Sequence, residues 1–245
     1  MDINKVYLGD CLEIMPSIPD KSIDMILCDL PYGTTACKWD TVIPLEPLWS
    51  EYKRVIKKNG VIVLTASQPF TSLLVMSNIK MFKYEWIWEK EQGVNFQLCK
   101  HQPLKVHEDI LVFGGKVSYQ PQGLIESNII KSNKFKGGNL GHLSSEKLRG
   151  EYTQRYGNYP KTVIRLNRDR GLHPTQKPVA LFEYLIKAYT NEGDLVLDNC
   201  AGSGTTGVAC QNLNRNYILI EKEPKYYDII LKRLRLDADK QLCLV

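Results

Sequence analysis

The chain has 245 residues, 43% hydrophobic and 24% charged, with a formal net charge of +5. That length supports one substantial core, or one core with a small appended lobe, and the balance is ordinary for a soluble globular protein. No apolar run approaches about 18 residues, and residues 1–5 carry no apolar leader, so no membrane span or signal peptide is expected and the location is expected to be cytoplasmic.

In chain order, a strand is expected over 6–8, followed by Gly9-Asp10-Cys11. A second strand, over 23–28, runs into Asp29-Leu30-Pro31-Tyr32. In a parallel sheet, residues just past a strand's carboxyl end face the ligand crevice. A carboxylate there accepts a hydrogen bond from an amino group. Pro31 stiffens the turn and biases Leu30 to an extended conformation, which offers the Leu30 carbonyl as a second acceptor. Tyr32 offers a flat face for a base, worth roughly 1–3 kcal/mol. Two acceptors on one amino group would suit methylation of a base: they direct the nitrogen lone pair outward and stabilise the charge that develops. A four-residue motif of this kind also occurs simply as a turn. In the polar loop 33–40, Lys38 is a candidate phosphate contact and Trp39 a candidate cover for a base. Each also reads as an ordinary loop residue.

Helices are expected over 48–58 and 69–78, and strands over 61–65, 86–88 and 110–113. Trp86 and Trp88 read as core residues, and Asp20 and Asp24 as surface residues. The alternation breaks between 115 and 160, a stretch rich in Gly, Asn, Ser, Gln, Lys and Tyr that is too long for an ordinary connection. From 115 to 172, eleven Lys/Arg face four Asp/Glu, a local charge of +7 that leaves −2 for the rest. A basic block on a nearly neutral body suits a polyanion-binding lobe, against the alternative of a solvated basic loop. Its candidate DNA contacts are Lys131, Lys134, Lys136, Arg149 and Arg155.

A helix over 179–189 places Val179, Phe182, Ile186 and Tyr189 on one face. Lys177 at its start is a candidate for a cofactor carboxylate, or a plain surface lysine. A strand over 195–197 ends at Asp198 and opens into a glycine-rich turn and a helix over 205–213. Gly202, Gly204 and Gly207 fit G-x-G-x-x-G in a strand–turn–helix context, which permits a tight turn and close approach of a ligand. The next strand, over 217–220, ends at Glu221, suitably spaced for ribose hydroxyls, and a helix over 224–236 follows. A nicotinamide or flavin enzyme shares this much. Asp198 argues against it, because a carboxylate beside a pyrophosphate repels it. S-adenosylmethionine has no phosphate and carries a sulfonium and an ammonium. The candidate cofactor contacts are Asp198, Gly202, Ser203, Gly204, Thr205 and Glu221.

The seven cysteines (Cys11, Cys28, Cys37, Cys99, Cys200, Cys210 and Cys243) form no Cys-x-x-Cys pair, and the four histidines are scattered. Reduced thiols are expected, with no metal site and no disulfide frame. The alternation of strands and helices predicts an α/β fold with a mainly parallel sheet covered on both faces.

These motifs, in this order, resemble the amino-group DNA methyltransferases of the circularly permuted beta class. Asp29-Leu-Pro-Tyr32 resembles the family's catalytic Asp-Pro-Pro-Tyr, with Leu30 in place of the first Pro. Asp198-Asn-Cys-Ala-Gly-Ser-Gly-Thr-Thr206 resembles its cofactor motif, with Asn199 and Cys200 in place of Pro-Phe. His173-Pro-Thr-Gln-Lys-Pro178 resembles the segment leading into that motif, and His107-Glu-Asp-Ile-Leu-Val-Phe113 a late sheet strand. The resemblance implies a Rossmann-like seven-stranded sheet with its last strand antiparallel. It implies S-adenosylmethionine as cofactor, with Asp10 approaching its adenine and Glu221 its ribose. It implies double-stranded DNA as substrate, with the target base flipped into the pocket at Asp29–Tyr32. A homodimer and a cognate restriction endonuclease are further possible partners. The expected domains are a catalytic half over 1–114, a target-recognition region over 115–172 and a cofactor-binding half over 173–245. Asp at position 29 favours N6 of adenine over N4 of cytosine. The readings of another class are a nicotinamide-dependent oxidoreductase and a catalytically dead DNA-binding module.

Overall fold

A computed structural model describes residues 1–34, 40–133, 150–169 and 176–235, without the side chains of 132, 133 and 150–152. It divides into two compact units, one of Met1–Gln120 with Thr162–Val245 and the other of Pro121–Lys161. In the first unit the elements are β1 (Lys5–Leu8), α1 (Cys11–Ile14), β2 (Ile23–Asp29), α2 (Leu45–Val55), β3 (Ile56–Ala66), α3 (Phe70–Ser77), β4 (Phe82–Val94) and β5 (Lys105–Gly114). After the second unit come β8 (Val163–Arg165), α4 (Val179–Tyr189), β9 (Leu195–Asp198), α5 (Thr205–Asn212), β10 (Asn216–Glu221) and α6 (Pro224–Leu234). The second unit holds β6 (Ile125–Asn133) paired antiparallel with β7 (Gly150–Gly157).

The sheet of the first unit has the order β1-β10-β9-β2-β3-β5-β4-β8. Every neighbouring pair is parallel except the two made by β5. The antiparallel strand is therefore the 107–113 segment, lying between β3 and β4. The described sheet has eight strands rather than seven, because Val163–Arg165 adds to the outer side of β4 from Ile87 to Glu89. Along β2, Met25 and Leu27 enter one apolar layer while Ile26 and Cys28 enter the other. This period of two, apolar on both sides, is the mark of a sheet buried on both faces. Helices α4, α5 and α6 pack on the first face, and α1, α2 and α3 on the second.

Several boundaries differ from the sequence reading. The helix expected over 48–58 ends at Val55, and Ile56 already pairs with Ile23. Tertiary pairing there overrides the helix preference of Lys57 and Lys58. The strand expected over 86–88 runs for thirteen residues, and the last helix stops at Leu234 because Arg235 turns left-handed. Trp86 and Trp88 are buried. Asp24, read as a surface residue, instead ties three strands together: it pairs with Lys57 at 2.7 Å and accepts the Leu195 N–H at 3.0 Å. Asp20 is exposed and pairs with Arg54.

Candidate active site

The register of the sheet brings the predicted motifs to one edge. Leu8 lies beside Glu221, and Leu219 beside Asp198. Ile26 lies beside Leu197, and Asp29 beside Thr65. The chain leaves β2 toward β3 on one side and β9 toward β10 on the other, and a crevice forms where such connections diverge. A cavity of about 360 Å³ opens there, lined by Asp10, Asp29–Tyr32, Lys177, Asp198–Ser203, Thr205 and Glu221, among others.

Asp29 ends β2 with both carboxylate oxygens engaged. Oδ1 accepts the hydroxyls of Tyr32, at 2.8 Å, and of Thr65. Oδ2 accepts the Lys177 ammonium at 2.6 Å. Leu30 is buried in the core, whereas Pro31 and Tyr32 are half-buried. The Tyr32 ring stacks on Phe70, with centroids 5.4 Å apart and planes at 25°, and the Lys177 ammonium lies 5.7 Å from its centre. Burial, followed by the charge of Asp29, raises the Tyr32 phenol well above its ordinary value, so it serves as a hydrogen-bond donor.

The glycine turn is built on Asp198. Its Oδ1 accepts the Cys200 N–H at 3.1 Å and its Oδ2 the Thr206 hydroxyl. Burial raises the Asp198 carboxyl to about 7, although those two donors oppose the shift. Gly204 takes φ +78°, and a Cβ there would stand 3.0 Å from Ile230, so the position both needs and fits glycine. Gly207 lets α5 settle on β10, since a Cβ would meet Leu219 at 2.8 Å. Ser203 and Thr205 are buried, and Arg233 reaches both of them. Glu221 is also buried: one oxygen accepts the Gly202 N–H at 2.7 Å and the other the Glu223 N–H at 2.9 Å. Burial raises its carboxyl. Asp10 caps α1 through the Leu12 N–H and pairs with Lys222 at 2.9 Å, a contact that lowers its pKa.

Lys177 lines the cavity and is not the plain surface lysine that was one sequence reading of it. It is only 5% exposed and lies between Asp29 and Glu108. Asp40, which the sequence reading passed over, accepts the Gly33 and Thr34 N–H groups at 2.8 and 2.9 Å and so ties down the turn after Tyr32. The polar loop ending in an acid was its only signal. Cys11 and Cys200, far apart in the chain, both line the cavity, the Asn199 amide lies 3.6 Å from Cys200 Sγ, and Cys28 is buried in the same apolar layer as Cys11. Burial pushes the Cys28 thiol up to about 12.

Of the candidate DNA contacts, Lys131 is exposed on β6 and Arg155 on β7. Lys38, Trp39, Lys134, Lys136 and Arg149 lie outside the described residues. A further exposed feature lies in the first unit. Trp86 stands level with Asp29 in the sheet, through Ile110 and Thr65. β4 then continues to Val94, about 25 Å more of extended chain at ~3.3 Å per residue. Its connection to β5 carries Phe96, 74% exposed, and Leu98. Residues 92–107 include Lys100, Lys105, His101 and His107 and no acid.

The N6/N4 methyltransferase family model, described as DNA methylase, matches residues 23–232. The Type II methyltransferase M.HpaI of Haemophilus parainfluenzae is 28% identical over 243 residues, 94% of this chain and 74% of its own length. The DNA adenine methyltransferase YhdJ of Escherichia coli (strain K12) is 30% identical over 246 residues, 92% of this chain and 81% of its own. The crystal structure of an M1.HpyAVI–SAM complex superposes with a TM-score of 0.64 at 26% identity, covering 94% of this chain and 99% of that one.

Proposed function

This chain belongs to the N6/N4 DNA methylase family, and from that premise we propose that it transfers a methyl group from S-adenosylmethionine to N6 of adenine in double-stranded DNA. The observation that carries the reading is a cavity lined by both Asp29–Tyr32 and, from the glycine turn, Asp198–Ser203 and Thr205. A methyl donor held at one and a base held at the other would share one crevice, and such placement supplies much of the acceleration. Family membership replaces the nicotinamide reading.

The donor set fits this cofactor. Asp10, Asp198 and Glu221 line the cavity, a set suited to hydroxyls and cations and unfavourable to a pyrophosphate. Asp198, raised to about 7, would face the positive charge of the cofactor, while Glu221 would take ribose hydroxyls and Asp10 would lie toward the adenine. When bound, S-adenosylmethionine supplies the methyl group as an electrophile. The chain's own part is to hold the amino nitrogen. Asp29 accepts one of its hydrogens, which directs the lone pair and stabilises the cationic nitrogen that forms. Tyr32 and Thr65 fix the orientation of the Asp29 carboxylate. The described candidates for contact with the duplex are Lys131 and Arg155 on the β6–β7 hairpin of the second unit and, taken separately, the acid-free β4–β5 tip of the first.

Asp29→Ala is expected to lose methyl transfer, by a factor of about 10² or more, as for removal of a donor or acceptor at developing charge. Cofactor affinity in calorimetry should stay within a few-fold. Full activity in that variant would end the assignment. YhdJ and the acid at position 29 support adenine over cytosine. Nucleoside mass spectrometry of treated DNA separates N6-methyladenine from N4-methylcytosine, the second reading that the family admits.

A further inference from the structure

A row of alternating charges stands behind Asp29. Lys177 Nζ lies 2.6 Å from Asp29 Oδ2 and 3.2 Å from Glu108 Oε2. Lys90, on β4, holds the other oxygen of Glu108, on β5. Glu108 Oε2 is buried and has no hydrogen-bond partner, so its contact with Lys177 is an ion pair without hydrogen-bond geometry. A buried carboxylate oxygen left in this way is costly and uncommon. Meanwhile Asp29 Oδ1 takes two hydroxyls and Oδ2 takes the ammonium. An amino group arriving at Oδ2 therefore meets a competitor that the chain itself provides.

We propose that Glu108 is a second berth for Lys177: the ammonium sits on Asp29 in the empty site and crosses to Glu108 Oε2 when the amino group of a target base docks on Asp29. The inference rests on the reading of Asp29 as acceptor of that group. Both berths lie within reach of one ammonium, so the exchange needs only side-chain rotation. Asp29 and Glu108 against Lys177 and Lys90 balance before and after, so no net charge is created in a buried place. A compact ammonium with rotatable donors suits the exchange better than the fixed fork of a guanidinium. Burial pulls the Lys177 pKa down, but Asp29 and Glu108 outweigh it and raise it above the ordinary lysine value. Burial likewise pushes Glu108 up, but Lys177 and Lys90 hold it at about 2. Both partners therefore keep their charge, and Lys177 moves as a cation rather than as a proton acceptor. After methyl transfer, the proton shed by the nitrogen leaves by way of Asp29 to water, and the ammonium returns to Asp29 Oδ2. Glu108 is thus a positioning residue that acts through Lys177.

The test compares single-turnover methyl transfer in the full-length protein for Glu108→Gln, Lys177→Met and the double variant. Glu108→Gln is expected to slow transfer at least tenfold, with cofactor and DNA affinities within twofold of the parent, because the ammonium has lost its alternative to Asp29. Adding Lys177→Met removes the competitor, so the double variant should run at least fivefold faster than Glu108→Gln alone. A purely structural role for the pair predicts the opposite: a double variant as slow as Glu108→Gln or slower. That result, or a Glu108→Gln rate within twofold of the parent, overturns the proposal. Should Glu108→Gln lose cofactor binding through misfolding, Glu108→Asp keeps the charge and withdraws it by one methylene; the same slowing and the same rescue are expected, and their absence is equally decisive. Methyl transfer that survives Asp29→Ala would instead sink the reading of the site itself, whatever happens at position 108.

Discussion

At Asp198, the burial that lets a carboxylate organise the glycine turn also sets a proton equilibrium. Its carboxyl is raised to about 7, against about 3.9 in an unfolded chain. Between those values the folded protein holds a proton that the unfolded chain has released. Stability therefore falls as pH rises through that window, by up to about 1.4 kcal/mol per unit. A cation placed beside Asp198 lowers its pKa again. S-adenosylmethionine binding is thus expected to expel a proton between about pH 5 and 7, and to tighten as pH rises toward 7. Calorimetry in two buffers of different ionisation enthalpy counts that proton. Asp198→Asn should remove the buffer dependence and weaken binding about tenfold, and an unchanged proton count in that variant would refute the assignment. The place of Asp198 was legible in the sequence, because a short apolar strand ends there and a glycine-rich turn follows. The role of Lys177 was not: its partners come from β2 and β5, and spacing along one chain cannot show that a lysine before α4 is buried between them.

The elements that position the site were legible where the apolar period was strong. β2, β9 and β10 read as buried strands because both faces of the sheet are covered, and α4 reads as a helix from one apolar stripe. The misses share a cause. β8 has only three residues and exists by pairing with β4. β6 and β7 are rich in Ser, Asn, Gln and charged residues, and they hold together by their ladder rather than by a core stripe. The outer length of β4 carries mixed polar residues past the edge of the core, so no window marks it. Its tip carries a prediction: exposed aromatic side chains supply stacking or wedge contacts to bases at ~1–3 kcal/mol each. Phe96→Ala is therefore expected to raise the dissociation constant for duplex DNA about tenfold while cofactor affinity holds, as measured by fluorescence anisotropy and calorimetry. Equal DNA affinity would remove the tip from the interface. At the α5–β10 contact, Gly207→Val would push a side chain against Leu219 and Leu234, whose nearest methyl carbons lie 2.8 and 2.9 Å from where its Cβ would stand. Overpacking of this kind destabilises by about 1–3 kcal/mol, and thermal unfolding should show it.

At the scale of the whole molecule, charge is divided as the two units are. Pro121–Lys161 carries seven Lys/Arg against three Asp/Glu, so most of the chain's +5 resides in a sixth of its length. That imbalance was plain in the sequence, whereas its framework of paired strands was not. The acids that line the cavity belong to the other unit. That division suits the proposed function, in which an anionic cavity would take a cationic methyl donor and a basic surface a polyanion. Each phosphate neutralised by a Lys or Arg releases counterions, so the slope of log affinity against log salt reports the number of such contacts, at ~0.9 per phosphate on duplex DNA. Lys131 on β6 and Arg155 on β7 are both exposed. Replacing both with alanine is expected to weaken binding to specific and non-specific duplexes alike and to flatten the salt slope by about 2. The target base should stay the same, because Asp29, its proposed acceptor, belongs to the other unit and is left unaltered. An unchanged slope would show that the hairpin does not touch phosphate and would move the DNA-binding surface to the first unit.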